Sequence, residues 1–268
     1  MIYDLQKASM WKRISAFLCD IILFCIVAVG IAFLLSSALG VDAQQNKMVE
    51  ISGHYAEEYG LDAFLTKEEL DGALSITVTE ERFNTLTEEQ QTILLDAGNA
   101  LYANEEYLKA YGMVNQLILL VVTFSILISQ LLLEFVVPLL LKNGQTVGKK
   151  VFGVAVMRMD GVKVSPTILL VRTLLGKYAV ETMIPVFVLL SLVLGTASIV
   201  TLVLLLLLIA AQIALLIFTQ ANTPLHDMLA GTVTVDFASQ LIFDTPEELL
   251  EYKQKIHAEA LAEKEKNS

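Results

Sequence analysis

Apolar runs of bilayer length constrain this chain more than any other feature. Ile14 to Ala38 supplies 25 predominantly apolar residues, and a helix of about 20 such residues crosses a hydrocarbon core about 30 Å thick. A second run covers Met113 to Leu141. A third, Met183 to Phe218, covers 36 residues and is interrupted by Gly195, Thr196, Ala197 and Ser198. That length is too great for one ordinary span, so it is expected to fold as a tight hairpin of two. The reading is an all-α membrane protein with four transmembrane helices. The alternative, one tilted span plus an interfacial helix, would carry the tail to the other side. Composition agrees with the bilayer: 55% hydrophobic residues and a mean hydropathy of +0.64 coexist with a net charge of −11, a mixture unusual in soluble acidic proteins. Ser36, Ser37 and Ala38 could pass for a signal-peptide cleavage region. The run before them exceeds the usual signal core of about 7 to 15 residues and contains Asp20, so it is expected to remain as a span.

Charge is unevenly placed. Between Asp42 and Gly112 there are 15 carboxylates against Lys47, Lys67, Arg82 and Lys109, so this stretch alone carries −11. Such a field repels phosphates, which excludes nucleic-acid partners. Thr66 with Glu69, and Thr87 with Gln90, have capping-box spacing, so residues 42–112 should form a small helical module. Lys142 to Lys177 is the most basic stretch, with seven Lys and Arg against Asp160. The positive-inside rule places that loop and the basic N-terminus in the cytoplasm and the acidic module outside. Cys19 and Cys25 lie six residues apart on one expected helix, hence on different faces, and cannot pair.

Within the basic loop, Val154 to Arg158 alternates ahead of Asp160-Gly161 and is followed by Val162 and Val164, the pattern of a short β-hairpin. Ser165-Pro166 has the form of a helix cap. Arg172, Thr173, Gly176, Lys177 and Glu181 then make a polar stripe opposite Leu169, Leu170, Leu174 and Leu175, which reads as a helix at the membrane surface. The expected organisation is therefore 1–41, N-terminus and first span; 42–112, acidic extracytoplasmic helical module; 113–141, second span; 142–181, basic cytoplasmic loop with a β-hairpin and interfacial helix; 182–219, transmembrane hairpin; and 220–268, cytoplasmic motif and charged tail.

Three separated motifs occur in order: Arg13 with Asp20 in the first span; Gly144-Gln145-Thr146-Val147-Gly148-Lys149-Lys150; and Thr223-Pro224-Leu225-His226-Asp227 continuing through Gly231. Together they resemble the RDD family of bacterial membrane proteins, named for one arginine and two aspartates, which Arg13, Asp20 and Asp227 match. The resemblance covers residues 11–38 and 115–236 and implies a protein of the bacterial cytoplasmic membrane with a transport or membrane-accessory role. The module at 42–112 departs from the short loop common in that family.

Asp20 is the most informative single residue. A carboxylate two turns inside an apolar run costs about 2.5 to 3.5 kcal/mol unless protonated, paired or hydrated. Arg13 lies about 10 Å away along the helix axis, so the partner is expected on another helix, with the His226-Asp227 turn as one candidate. Asp20 either handles a cation or proton, or makes a structural hydrogen bond. Asp227 either caps its helix or pairs with Arg13 or Arg172. His226 titrates near neutrality in principle but has no second ligand at metal spacing, and Glu181 has Lys177 four residues earlier as its obvious partner. Gly148, Lys149 and Lys150 lack Walker spacing and read as a basic turn near anionic lipid. No nucleophile with a base is assembled, and no metal or cofactor is expected. Arg172, His226, Gly148, Lys149 and Gly231 support the Arg13, Asp20 and Asp227 set. Two functions follow: movement of a small ligand or ion with Asp20 as the intramembrane acid, or a non-transporting scaffold or sensor whose acidic module binds a protein partner. Neither is an enzyme.

Overall fold

The computed structural model describes residues 5–70, 75–193, 195–219 and 222–266. Residues 71–74 of the acidic stretch and 220–221 ahead of the last motif lie outside these. Four helices are long and apolar enough to cross a membrane: α1 (Met10–Leu39), α4 (Glu105–Leu141), α6 (Pro166–Leu192) and α7 (Ile199–Phe218). Between α1 and α4 lie α2 (Val41–Glu58) and α3 (Glu88–Ala103) with shorter helical turns. After α4 come α5 (Val147–Val151) and β1 (Val154–Arg158); after α7 come α8 (Leu225–Ala230), β2 (Thr232–Asp236) and α9 (Pro246–Lys266). The chain divides into two compact units, Gly30–Ser125 and the remainder.

The Gly30–Ser125 unit has its own apolar core, in which Met48, Leu61, Leu94, Leu101 and Tyr107 are buried. Its helix starts follow the expected chemistry. The Thr87 hydroxyl accepts from the Gln90 backbone N–H at 3.3 Å while the Gln90 side chain accepts from the Thr87 N–H at 3.0 Å. Thr66 and Glu69 make the same reciprocal pair at 3.3 and 2.6 Å.

The other unit departs from the sequence reading in two places. The segment expected to be a separate helix at the membrane surface is continuous with the third candidate span. Ser165 caps it, accepting from the Ile168 N–H, Pro166 is its first residue, and the helix runs on without a break through Arg172–Met183 to Val193. The polar stripe on this helix is satisfied by other protein groups, because Arg172, Thr173 and Gly176 are buried. A polar face records only that a helix side avoids hydrocarbon, and neighbouring helices serve as well as water. The hairpin loop between the third and fourth spans is where the sequence placed it, with Ser198 and Thr201 forming a capping box at the start of α7.

The second departure is the β-element. The turn at Asp160-Gly161 forms, with Gly161 N–H bonded to Arg158 O at 3.0 Å, but the returning residues make only an isolated bridge, Met157 to Lys163. The strand partner of β1 is β2, antiparallel, with Val156 opposite Thr234 and Met157 opposite Val233. Four consecutive residues of each strand are buried. β2 brings Val233 and Val235 into a core with Ala155 and Met157 that the short return beyond Gly161 does not join. β2 reaches this position because α8 ends at Gly231, whose φ of 63° lets the chain reverse immediately into the strand.

In a background where Cys19 and Cys25 are replaced by Ala, Met157→Cys with Val233→Cys should form an intramolecular disulfide on mild oxidation. Val156→Cys with Val164→Cys, the pair that a hairpin continued beyond the Met157–Lys163 bridge would set opposite each other, should not. The reverse result, read by gel mobility, would restore the local hairpin.

Candidate functional site

Ionisable residues of α1, α4 and α6 meet those of α5 and α8, and Gln212 of α7 bonds one of them, Glu181. Four cations (Arg13, Lys149, Arg172, Lys177) and four carboxylates (Asp20, Glu134, Glu181, Asp227) are joined by direct contacts or through one intervening residue. Charge balance is what permits the burial, since an unpaired charge in such a medium is costly by several kcal/mol.

Arg172 and Asp227 form the centre. Arg172 is 1% exposed and Asp227 0%, and the guanidinium Nε donates to Asp227 Oδ1 at 2.7 Å. The same carboxylate accepts from the Thr232 hydroxyl at 2.8 Å and the Thr234 hydroxyl at 2.9 Å. Burial alone would raise the Asp227 carboxyl pKa; the Arg172 guanidinium, then His226 and the hydroxyl donors, hold it far below the ordinary carboxylate range. Asp227 therefore pairs with α6 and β2 and does not cap α8. Arg13 reaches this cluster indirectly, donating to Thr234 O at 2.5 Å and to Asn222 O at 2.8 Å.

Asp20 is not bonded to the His226-Asp227 turn. Its carboxylate accepts from the Thr146 hydroxyl at 2.5 Å and the Gly148 backbone N–H at 2.7 Å, so it holds the start of α5 against α1. The approach demands glycine: a Cβ at Gly148 would lie 2.3 Å from Ala16 O and 2.9 Å from the Asp20 carboxylate. Gly176 plays the same part on α6, where a Cβ would lie 2.5 Å from His226 Cβ.

Glu134, near the end of the second span, faces three cations. It is 7% exposed, its Oε1 is bonded to Lys177 Nζ, and its Oε2 faces Arg172 Nη1 at 3.7 Å and Lys149 Nζ at 3.9 Å. Lys149 is pushed down to about 8, chiefly by burial and partly by the neighbouring Lys177 and Arg172, with Glu134 opposing. Glu181, paired in the sequence reading with Lys177, instead accepts from His226 Nδ1 at 2.7 Å, from the His226 backbone N–H at 3.0 Å and from Gln212 Nε2 at 2.5 Å. Burial, and then Arg172, pushes the imidazole below its ordinary value, with Asp227 and Glu181 opposing.

The sequence carried an unused signal for both glutamates. Each stands four residues before a proline, Glu134 before Pro138 and Glu181 before Pro185. Proline has no N–H for the carbonyl four residues earlier. The helices widen there to π geometry, over Leu132–Val136 and Arg172–Met183, and the freed Glu134 carbonyl accepts the Thr173 hydroxyl at 3.0 Å.

Four spans, and a balanced ionic cluster that ties their ends to a two-stranded sheet, define a multi-pass membrane protein with a buried polar junction. The RDD family model matches residues 7–231, most of the chain and including the acidic module, and the chain belongs to that family. No curated protein and no solved structure matches it. The arginine and two aspartates of the family name do not touch one another directly. They are stations on a path that runs Asp20, Thr146, Lys149, Glu134, Arg172, Asp227, Thr234, Arg13 and closes on α1.

Removing one member of a buried ion pair leaves the other uncompensated, at a cost of about 3 to 5 kcal/mol. Arg172→Ala and Asp227→Ala should each lower the thermal midpoint in detergent sharply, and the double variant should lose much less than the sum. Additive losses would show that the pair is not coupled. For Lys149 the sign follows from a folded-state value of about 8 against 10.5 unfolded. Between those two pH values the unfolded chain binds more protons, so this residue makes stability rise with pH across that window. Unfolding midpoints for the native chain should gain relative to Lys149→Met from pH 8 to 10; parallel curves would contradict this.

Proposed function

We propose that this RDD-family protein moves a small ion or ligand across the bilayer, with Glu134 and its surrounding cations as the group that exchanges a proton. The observation that carries this reading is an incomplete set of bonds. Among the described residues, Glu134 Oε2, Arg172 Nη1 and Gln130 Oε1 are buried without a hydrogen-bond partner. Gln130 lies one turn before Glu134 on α4, and its amide donates to the Thr182 hydroxyl of α6 at 3.1 Å. Buried polar atoms are completed in the great majority of structures, so a donor and an acceptor left 3.7 Å apart favour a site that takes up a proton, a water or an ion during use. Asp20, with two close donors, is the weaker candidate. A proton on Glu134 would cancel the charge holding Lys177, Lys149 and Arg172, and three cations without their anion favour rearrangement of α4 against α6.

The reading includes no catalytic step. It places the protein in a bacterial cytoplasmic membrane with both termini and the ionic cluster on the cytoplasmic side, supported by the seven basic residues between Lys142 and Lys177. The second reading, a scaffold or sensor, is favoured by the acidic module, which has its own core and an open, largely apolar groove of about 400 Å³ bordered by Ile76, Phe83, Leu95 and Tyr102.

In proteoliposomes loaded with a pH-sensitive dye, the native chain should dissipate an imposed proton gradient on addition of one of a panel of small cations or solutes. Glu134→Gln should reduce the rate at least tenfold; Glu134→Asp, which keeps the charge, should retain part of it. Asp20→Asn should act mainly through stability. No flux above empty vesicles across the panel would leave the scaffold reading in its place.

A further inference from the structure

A separate feature lies at the level where two spans end. Leu141 closes α4 and Pro166 opens α6, and with both helices read as spans the residues beside these ends fall at the level of the lipid headgroups. Between them is a cleft of about 240 Å³. Two ammonium groups border it, Lys142 and Lys163, against one carboxylate, Asp244, while Leu139, Pro166 and Leu169 form its apolar side. The ionic cluster described above does not include any of these six residues.

Lys142 is held there at some expense. It ends α4 in the left-handed region, φ 65°, where glycine or asparagine is the usual occupant. Its side chain is exposed beside the cleft. Lys163 is held from the other side. Its N–H donates to Phe243 O at 2.9 Å, and its Nζ is paired with Asp244, which is itself two-thirds exposed. One positive group is thus free of the carboxylate and one is on loan to a partner that water can take. Next to the charges, Leu139 is 38% exposed and Leu140 72% exposed, an apolar surface continuous with the span.

The geometry points to a binding site for one anionic phospholipid: the headgroup phosphate between Lys142 and Lys163, an acyl chain along Leu139 and Leu140, with Asp244 competing for Lys163. A soluble phosphate would use the lysines but has no reason to need the leucines. A zwitterionic lipid would use the leucines but carries its own cation, which meets like charge here. Only an anionic amphiphile uses both, and it is present at the surface at high local concentration. The site does not depend on transport, and its test does not read flux.

The purified full-length chain in mild detergent is offered equimolar phosphatidylglycerol and phosphatidylcholine of the same acyl chains, and bound lipid is counted by native mass spectrometry. Phosphatidylglycerol should be retained in preference. Lys142→Gln and Lys163→Gln should each weaken its retention about fivefold, the worth of about one interfacial lysine. Lys255→Gln, at an exposed lysine of α9 outside the cleft, should leave it unchanged. Asp244→Asn should strengthen it, an opposite sign that misfolding cannot mimic. Equal retention of the two lipids, an equal loss with Lys255→Gln, an unchanged or weaker retention with Asp244→Asn, or displacement of the lipid by millimolar inorganic phosphate would each overturn the assignment, the last by making it a soluble-anion site.

Discussion

The contact between Arg172 and Asp227 is the constraint on which the membrane unit's order depends. Both groups are removed from water, and neither can be tolerated in hydrocarbon without the other. Their partners come from α4, α6, α8 and β2, so satisfying two charges fixes the mutual arrangement of four elements. The energy of such a cluster does not reside in any one pair. Each added partner lowers the penalty of the charges already buried, and the loss of one exposes all of them, which is why a balanced set of eight ionisable groups can stand where a single one could not.

Backbone geometry is what makes room for this chemistry. Pro138 and Pro185 free the carbonyls of the residues four positions earlier, and the helices widen at both places instead of continuing regularly. In lipid a freed carbonyl has to be answered from within the protein, and Thr173 answers that of Glu134. The glycines act on the same scale. Gly148 and Gly176 allow the carbonyl of Ala16 and the backbone of His226 to come within distances that any side chain would forbid. Prolines displace, glycines admit, and the charged residues then meet.

What was legible in the sequence divides along a physical line. Features set by neighbours in the chain were readable: the apolar runs that form spans, the caps at Thr66, Thr87 and Ser165, the stop at Gly231, and the loop at Gly195 to Ser198. Features set by partners distant in the chain were not. The strand β1 looked for its mate across the nearest turn, while the actual mate lies more than seventy residues on and arrives only because α8 packs on α6. Lys177 is one turn from Glu181 and bonds Glu134 instead. The polar stripe of α6 was visible, but whether water or protein satisfies it is decided by other helices, and the same pattern serves both.

The same distinction separates the aspartate that the sequence put forward from the glutamate that the structure brings forward. Asp20 stands out because it interrupts an apolar run, and that signal measures only the cost of its burial. The cost is offset by two donors at 2.5 and 2.7 Å, an arrangement that anchors a helix start and leaves the carboxylate little to gain from any arriving ion. Glu134 stands near the end of a run, where a carboxylate attracts no notice, yet one of its oxygens faces two cations beyond bonding distance. On the proposed reading, the reactive member of this cluster is the one whose coordination is incomplete, because a proton added there changes the balance of forces between α4 and α6.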